Sequence, residues 1–256
     1  MSENQSPRGR ASLGRALKSG FRAAYESLGY VVGASFATLV ITAIVPAMMG
    51  LISAHAAGML LGLPALPVAW LCAVGVFYYA KKVVYHERPA PADTWEGIRR
   101  LLGPAIALFV VDLIISTVLF GDVVFFALAF KAKGGALLAG LTMVCAYLAL
   151  MWMLMGIYHL PLLVAQLEME SGPGVKVILR KSFLLMADNP GFTVGLFIAI
   201  IAFTVLCALS AVGMALLFTG TAAFLLTCSL RELFVKYGIV EQEPEVIEDK
   251  PWRLRD

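Results

Sequence analysis

Long uncharged stretches alternate with short charged clusters along this chain of 256 residues. No Asp, Glu, Lys or Arg lies between Ser27 and Ala80, and the stretch from Gly191 to Leu230 is also free of charge. Because a transmembrane helix needs about 20 apolar residues, each stretch is long enough for two spans. The pattern predicts an all-α, polytopic membrane helical bundle with about six transmembrane helices.

The predicted spans form one membrane domain over residues 13–238, between a disordered N-terminal tail (1–12) and an acidic, flexible C-terminal tail (239–256). They cover residues 28–50, 63–80, 101–120, 136–163, 192–209 and 213–230. Gly121 and Asp122 are expected to end the third span, and the apolar segment 123–130 either extends that helix or lies at the interface. Pro161 is expected to bend the end of the fourth span, and the region of Gly213 to form the last turn. The first apolar run is too long for a signal-peptide core, so we interpret it as a retained span.

Three basic segments each precede a pair of spans and have a period of 3.6 residues, which indicates short amphipathic helices. The first begins near Leu13. The second runs from Trp95 to Leu102 and is opened by a capping box of Asp93 and Glu96. The third is 175–189. Such helices are typical of membrane interfaces, with their cations toward anionic headgroups; for the first, a solvated juxtamembrane helix is an equal alternative. The residues predicted to face headgroups are Arg15, Lys18, Arg22, Arg99, Arg100, Lys176, Arg180 and Lys181.

The positions of the cations predict the orientation of the bundle. With six spans, every Lys and Arg except Lys131 and Lys133 falls on the same side of the membrane. Since cytoplasmic loops carry the excess of basic residues, both termini are predicted to be cytoplasmic. The recurrence of a basic helix before each hairpin also suggests three repeated units, although chance similarity among basic amphipathic segments explains the pattern equally well.

Composition supports the membrane class and narrows the function. Hydrophobic residues make up 60% of the chain and charged residues 14%, against roughly 45–50% and 25% in soluble domains. The basic clusters flank spans and lack interleaved aromatic side chains, which argues against nucleic-acid binding. All four cysteines lie in apolar runs without a CxxC pair, so we interpret them as small buried side chains.

Asp112 is the sharpest candidate for chemistry, because it lies near the middle of the predicted third span. A charge at that depth costs at least about 2.5–3.5 kcal/mol. The carboxyl group is therefore a proton or cation site, or it is hydrogen-bonded to a neighbouring helix and fixes packing. Tyr158 and His159, at the end of the fourth span, complete a candidate polar site within the membrane. His159 could titrate near neutral pH, but a polar residue at the interface is the commoner case.

Other chemistry finds little support in the sequence. The three histidines are scattered, no HExxH or Walker motif is present, and no nucleophile stands beside a base. We therefore predict no metal, no cofactor and no enzymatic activity. Trp152 and the methionines around it are interpreted as adaptable packing that could line an apolar cavity between helices.

The order of several short motifs resembles the YesL-like family of bacterial integral membrane proteins, which carry a domain of unknown function. The motifs are Thr94-Trp95-Glu96-Gly97-Ile98-Arg99-Arg100, Tyr158-His159-Leu160-Pro161-Leu162-Leu163, Leu179-Arg180-Lys181-Ser182-Phe183 and Asp188-Asn189-Pro190. The resemblance covers about residues 13–235. It implies a bacterial inner-membrane location and a link to carbohydrate uptake or its regulation, and it implies no catalytic residue.

Two hypotheses about function follow. The first is a non-enzymatic accessory or regulatory component of the bacterial inner membrane that works through lipid contacts and a membrane-protein partner such as a transporter. The second is a small transporter or channel that uses Asp112. A polar path to Asp112 would favour the second, and a carboxyl group packed against neighbouring side chains would favour the first.

Overall fold

The computed structural model describes residues 11–44, 65–87, 89–168 and 174–240, and these are helical with no strand. In chain order, the ten α-helices of these ranges are α1 (Leu13–Glu26), α2 (Leu28–Leu39), α3 (Ala65–Val84), α4 (Ala92–Lys133), α5 (Ala136–Gly156), α6 (His159–Ala165), α7 (Val175–Asp188), α8 (Pro190–Leu209), α9 (Ala211–Leu216) and α10 (Phe218–Lys236). A π-helical turn, Val40–Ile44, continues α2. The predicted first-span end and the second-span start fall partly outside the described residues, as do most of both tails.

The predicted all-α polytopic class is confirmed. Five helical stretches are long and apolar enough to cross a membrane, namely α3, α4, α5 together with α6, α8 and α10. A sixth is obtained if α1 and α2, which meet at an angle of 89°, are counted as one broken span. The chain is therefore a multi-pass membrane protein by the length and composition of its helices.

Two predicted boundaries around α4 are wrong. The segment from Trp95 to Leu102 is not a separate surface helix, and Gly121 with Asp122 does not end the third span, because α4 runs unbroken from Ala92 to Lys133. Segment 123–130 therefore extends the helix. At about 1.5 Å per residue, α4 is about 63 Å long, roughly twice the thickness of the hydrocarbon layer.

The start of α4 also differs in detail from the predicted capping box. Asp93 lies inside the first turn of the helix, and its Oδ2 accepts a hydrogen bond of 2.7 Å from the backbone N–H of Ala90. In the predicted capping box, the side chain of Glu96 would accept a hydrogen bond from a backbone N–H three residues before it. Asp93 makes a bond of this kind instead. The ammonium of Lys82 lies 2.9 Å from Oδ1 and ties the end of α3 to the start of α4.

Helix α1 has the predicted amphipathic pattern but packs along another helix. Its Ala16, Gly20 and Ala24 are buried, and a Cβ at Gly20 would lie 2.9 Å from the Cα of Leu225 in α10. Near its start, Arg15 pairs with Glu232 of α10 at 3.1 Å. The small residues let the two backbones approach closely, so this face is covered by protein and is closed to lipid.

Glycines also set the close approach of α3 to α4. A Cβ at Gly75 would lie 2.6 Å from the carbonyl oxygen of Thr94, and one at Gly97 would lie 2.5 Å from Tyr78. Tyr30 of α2 joins this contact: its hydroxyl lies 2.7 Å from that of Thr94 and its ring stacks on Tyr79. The buried core is formed by α1, α2, α3, α6, α7 and α10 with the first half of α4, and α5 and α8 each add a buried leucine, Leu154 and Leu196.

The second half of the chain is broken where the sequence indicated. Helix α5 ends at Gly156, and α6 begins at His159, so that Pro161 lies in the first turn of α6. Helix α7 begins where predicted and ends one residue earlier, with Asn189 as its C-cap and Pro190 as the first residue of α8. The turn after α8 is wider than the tight hairpin that was expected near Gly213, because the short helix α9 occupies it.

Candidate functional site

Asp112 and His159 form the central polar contact between α4 and α6. The Nδ1 atom of His159 lies 2.9 Å from Oδ1 and 3.1 Å from Oδ2 of Asp112. The imidazole side chain is 2% exposed and the carboxylate side chain 15%. A proton on Nδ1 is donated to the carboxylate, so the pair is held by a charge-assisted bond when Asp112 is ionised. The contact joins two residues that are 47 positions apart in the chain and thereby links α4 to α6.

A second polar contact lies one turn further along α4. The indole N–H of Trp152 in α5 donates to the hydroxyl of Ser116 at 3.0 Å. The ring of Trp152 also meets that of His159 edge to face, with centroids 5.3 Å apart. The two contacts together fix the register of α4 against α5 and α6 in an apolar surrounding, where interhelical hydrogen bonds contribute about 1 kcal/mol each.

Tyr158 does not join the Asp112–His159 pair. Its hydroxyl lies 2.8 Å from that of Thr193 in α8, and the Thr193 hydroxyl donates in turn to the carbonyl of Asn189 at 2.9 Å. Since Thr193 uses its proton for that carbonyl, Tyr158 is the donor to Thr193. The neighbouring residues Tyr158 and His159 thus anchor the α5–α6 break to two different helices.

The length of α4 changes the predicted depth of Asp112. Two parts of the helix are each long enough to cross a bilayer: residues 101–120, whose first half packs on α3, and residues 113–133, which pair with α5. Asp112 is central in the first and lies at the edge of the second. It is 21 residues, or about 31 Å, from Lys133, which is close to the thickness of the hydrocarbon layer.

An apolar groove lies beside the pair, between α4, α5 and α7. It has a volume of about 280 Å³ and an almost wholly apolar lining. The residues that form its wall are Leu119, Tyr147, Leu148, Met151, Trp152, Met155 and Phe183. The predicted role of Trp152 and its neighbouring methionines is confirmed for Met151 and Met155. Met143 and Met153 do not line the groove and are exposed.

The predicted headgroup residues divide by environment. Arg15 pairs with Glu232, Arg22 with Glu26 and Arg100 with Glu96. Lys18, Arg99, Lys176 and Arg180 are exposed, and Lys181 is half-buried. The imidazole of His159 is buried and bonded to Asp112, and its position at the membrane interface stays a prediction.

Sequence reasoning missed Ser116 and Thr193, the partners of Trp152 and Tyr158. Nothing in the sequence singles them out among other hydroxyl residues in apolar helices. It also missed the close packing of α1 on α10, although a signal was present: Ala16, Gly20 and Ala24 are spaced four residues apart, which is the small-residue pattern of helix contacts in membranes.

No metal-binding cluster of His, Cys, Asp or Glu occurs within the ranges that the structure describes. No family model matches the sequence, and no curated protein and no solved structure matches it significantly.

Proposed function

We propose that this protein is a non-enzymatic accessory or regulatory component of a bacterial inner membrane, working through contacts with lipids and with a membrane-protein partner. The observation that supports this most is the state of Asp112. Its carboxylate is bonded to His159 within the fold, and the groove beside it has an apolar wall. A carboxyl group used in this way stabilises the packing of the helices. This structural role is what we expect of Asp112 in an accessory protein.

The alternative function, a transporter or channel that uses Asp112, requires the carboxylate to exchange protons or cations with water. The Asp112–His159 contact favours the structural role. A transported ion would have to displace His159, which already occupies the carboxylate of Asp112. The resemblance to YesL-like proteins suggests that the partner is a carbohydrate transporter. We also propose that both termini are cytoplasmic.

Proteoliposomes test this proposal directly. The purified protein is reconstituted with a pH-sensitive dye inside the vesicles, and proton entry is followed under an imposed membrane potential. We expect the same leak rate as in protein-free vesicles, for the wild type and for Asp112→Asn alike. Asp122→Asn is the matched control, because this carboxylate lies on the same helix and is only half-buried. Proton entry that Asp112→Asn abolishes and Asp122→Asn preserves would replace this function with transport.

A further inference from the structure

The groove between α4, α5 and α7 adjoins a cationic helix face. On α7, Lys176, Arg180 and Phe183 lie within about 60° of one another at 100° per residue. Phe183 forms part of the groove wall, and both cations are exposed. The distance along the helix from Phe183 to Arg180 is about 4.5 Å and to Lys176 about 10 Å. A ligand in the groove therefore has two positive charges within reach of its polar end.

The position of the groove along α4 favours a lipid. Exposed cations place α7 at the boundary between hydrocarbon and water, where basic amphipathic helices are stable. Leu119 in the groove wall is 14 residues, or about 21 Å, from Lys133 at the other end of the helix. The groove thus lies inside a hydrocarbon layer about 30 Å thick, just beneath the level of the cations.

We propose that this groove binds one acyl chain of an anionic phospholipid whose headgroup is held by Lys176 and Arg180. A cavity of about 280 Å³ lies just under the range of small-molecule sites, roughly 300–1,000 Å³, and suits a chain segment better than a bulky ligand. Its apolar wall matches the chain and the two cations match the phosphate. This inference deepens the lipid contacts named in the proposed function, and it holds with or without transport, because a transporter could carry the same lipid site.

Trp152 provides the probe, because its ring is part of the groove wall. A variant in which Trp70, Trp95 and Trp252 are replaced by Phe keeps Trp152 as the only tryptophan. It is reconstituted into phosphatidylcholine vesicles that contain a minor fraction of phosphatidylglycerol. Bromine atoms, which quench tryptophan on contact, are placed on the acyl chains of one lipid or the other. Circular dichroism and gel filtration confirm that each variant is folded.

We expect brominated phosphatidylglycerol to quench Trp152 well beyond its share of the lipid, and brominated phosphatidylcholine to quench it less than its share. A cation near a membrane surface contributes about 1 kcal/mol to the binding of anionic lipid. Lys176→Gln and Arg180→Gln should therefore each lower the preference for phosphatidylglycerol about fivefold. Lys131→Gln and Lys133→Gln, at the far end of α4, are matched controls and should change nothing.

A second reporter measures ordinary lipid contact. Ile198 on α8 is 59% exposed, so Ile198→Trp in a background without other tryptophans should be quenched by each lipid in proportion to its amount. If each brominated lipid also quenched Trp152 only in proportion to its amount in the vesicles, the proposed site would be overturned. If the preference for phosphatidylglycerol survives both substitutions on α7, Lys176 and Arg180 do not hold the headgroup, and the proposal is overturned. Absence of quenching by either lipid would show that another protein chain covers the groove, and this too would overturn the proposal.

Discussion

The two ends of α4 contrast sharply in how they are packed. From Ala92 to Leu108, one face of the helix is buried against α3 and its neighbours, with Gly97, Leu101, Ala105 and Leu108 inside the core. From residue 113, through the Gly134-Gly135 turn, to residue 148 of α5, no residue is buried. We call residues 113–148 the distal hairpin. It exposes large apolar side chains on all sides, including Phe125, Leu137 and Met143.

The contrast teaches where each region obtains its stability. In the core, glycines and small residues bring backbones together and side chains fill the space. No residue of the distal hairpin is buried, so its exposed apolar surface is satisfied only by lipid or by a partner in the membrane. Asp112, Ser116, Trp152 and His159 lie where the two regions join, and their contacts hold the hairpin in register on the core.

The largest effect is expected at this junction. Asp112→Ala leaves the buried imidazole of His159 without its partner, and an unpaired buried hydrogen-bonding group costs up to about 3 kcal/mol. The free energy of unfolding, measured by denaturant titration in detergent micelles, should fall by that amount. Asp122→Ala, on the same helix, removes no contact that the structure describes, so it should not lower the free energy of unfolding. Equal losses in the two variants would contradict the junction role of Asp112.

A glycine pair sharpens the comparison between core and hairpin. Gly97→Ala places a methyl group against the ring of Tyr78, and overpacking of this kind costs about 2 kcal/mol. Gly140→Ala in the distal hairpin meets nothing within 4 Å, so the better helix propensity of Ala should stabilise that variant by up to about 1 kcal/mol. Thermal unfolding in the same detergent measures both. A loss of stability at Gly140 would mean that the hairpin is packed against something.

Two tyrosines on either side of the junction give a smaller difference. Tyr158→Phe removes the hydrogen bond to Thr193 and should destabilise the protein by about 1 kcal/mol. Tyr147→Phe is the control, because Tyr147 is 61% exposed on the hairpin and should be neutral. Denaturant titration of the two variants side by side tests this. If Thr193→Val cost the same in the Tyr158→Phe background as in the wild type, the two hydroxyl groups would not be partners.

The smallest effect concerns pH and is confined to the start of α4, outside the apolar part of the helix. The N–H of Ala90, followed by the ammonium of Lys82, lowers the pKa of Asp93 below its usual range. Its contribution to stability is therefore complete above the ordinary aspartate pKa and is lost as the pH falls through the lowered value. Stability measured from neutral to acidic pH should fall more steeply in the wild type than in Asp93→Asn. Parallel curves would contradict this assignment.

Patterns within one helix carried most of the correct predictions about the fold. The faces of α1 and α7, the break near Pro161 and the start of α8 at Pro190 all depend on residues a few positions apart. The helix end at Gly121-Asp122 was predicted wrongly for a physical reason. Gly and Asp cost an isolated helix about 1 kcal/mol or less each, whereas open backbone groups in hydrocarbon cost several. In an apolar surrounding, therefore, the helix continues.

Local patterns were enough to predict an all-α, multi-pass membrane protein and to single out Asp112 as a charge within an apolar run. Hydrophobic length and period are local properties, and they survive folding unchanged. The packed fold was needed to show that His159 is the partner of Asp112, that α10 covers the small residues of α1, and that α4 extends from the core into an unburied hairpin. These features depend on which helices come together, and that is set by the shapes and small-residue faces of distant segments, which no local pattern records.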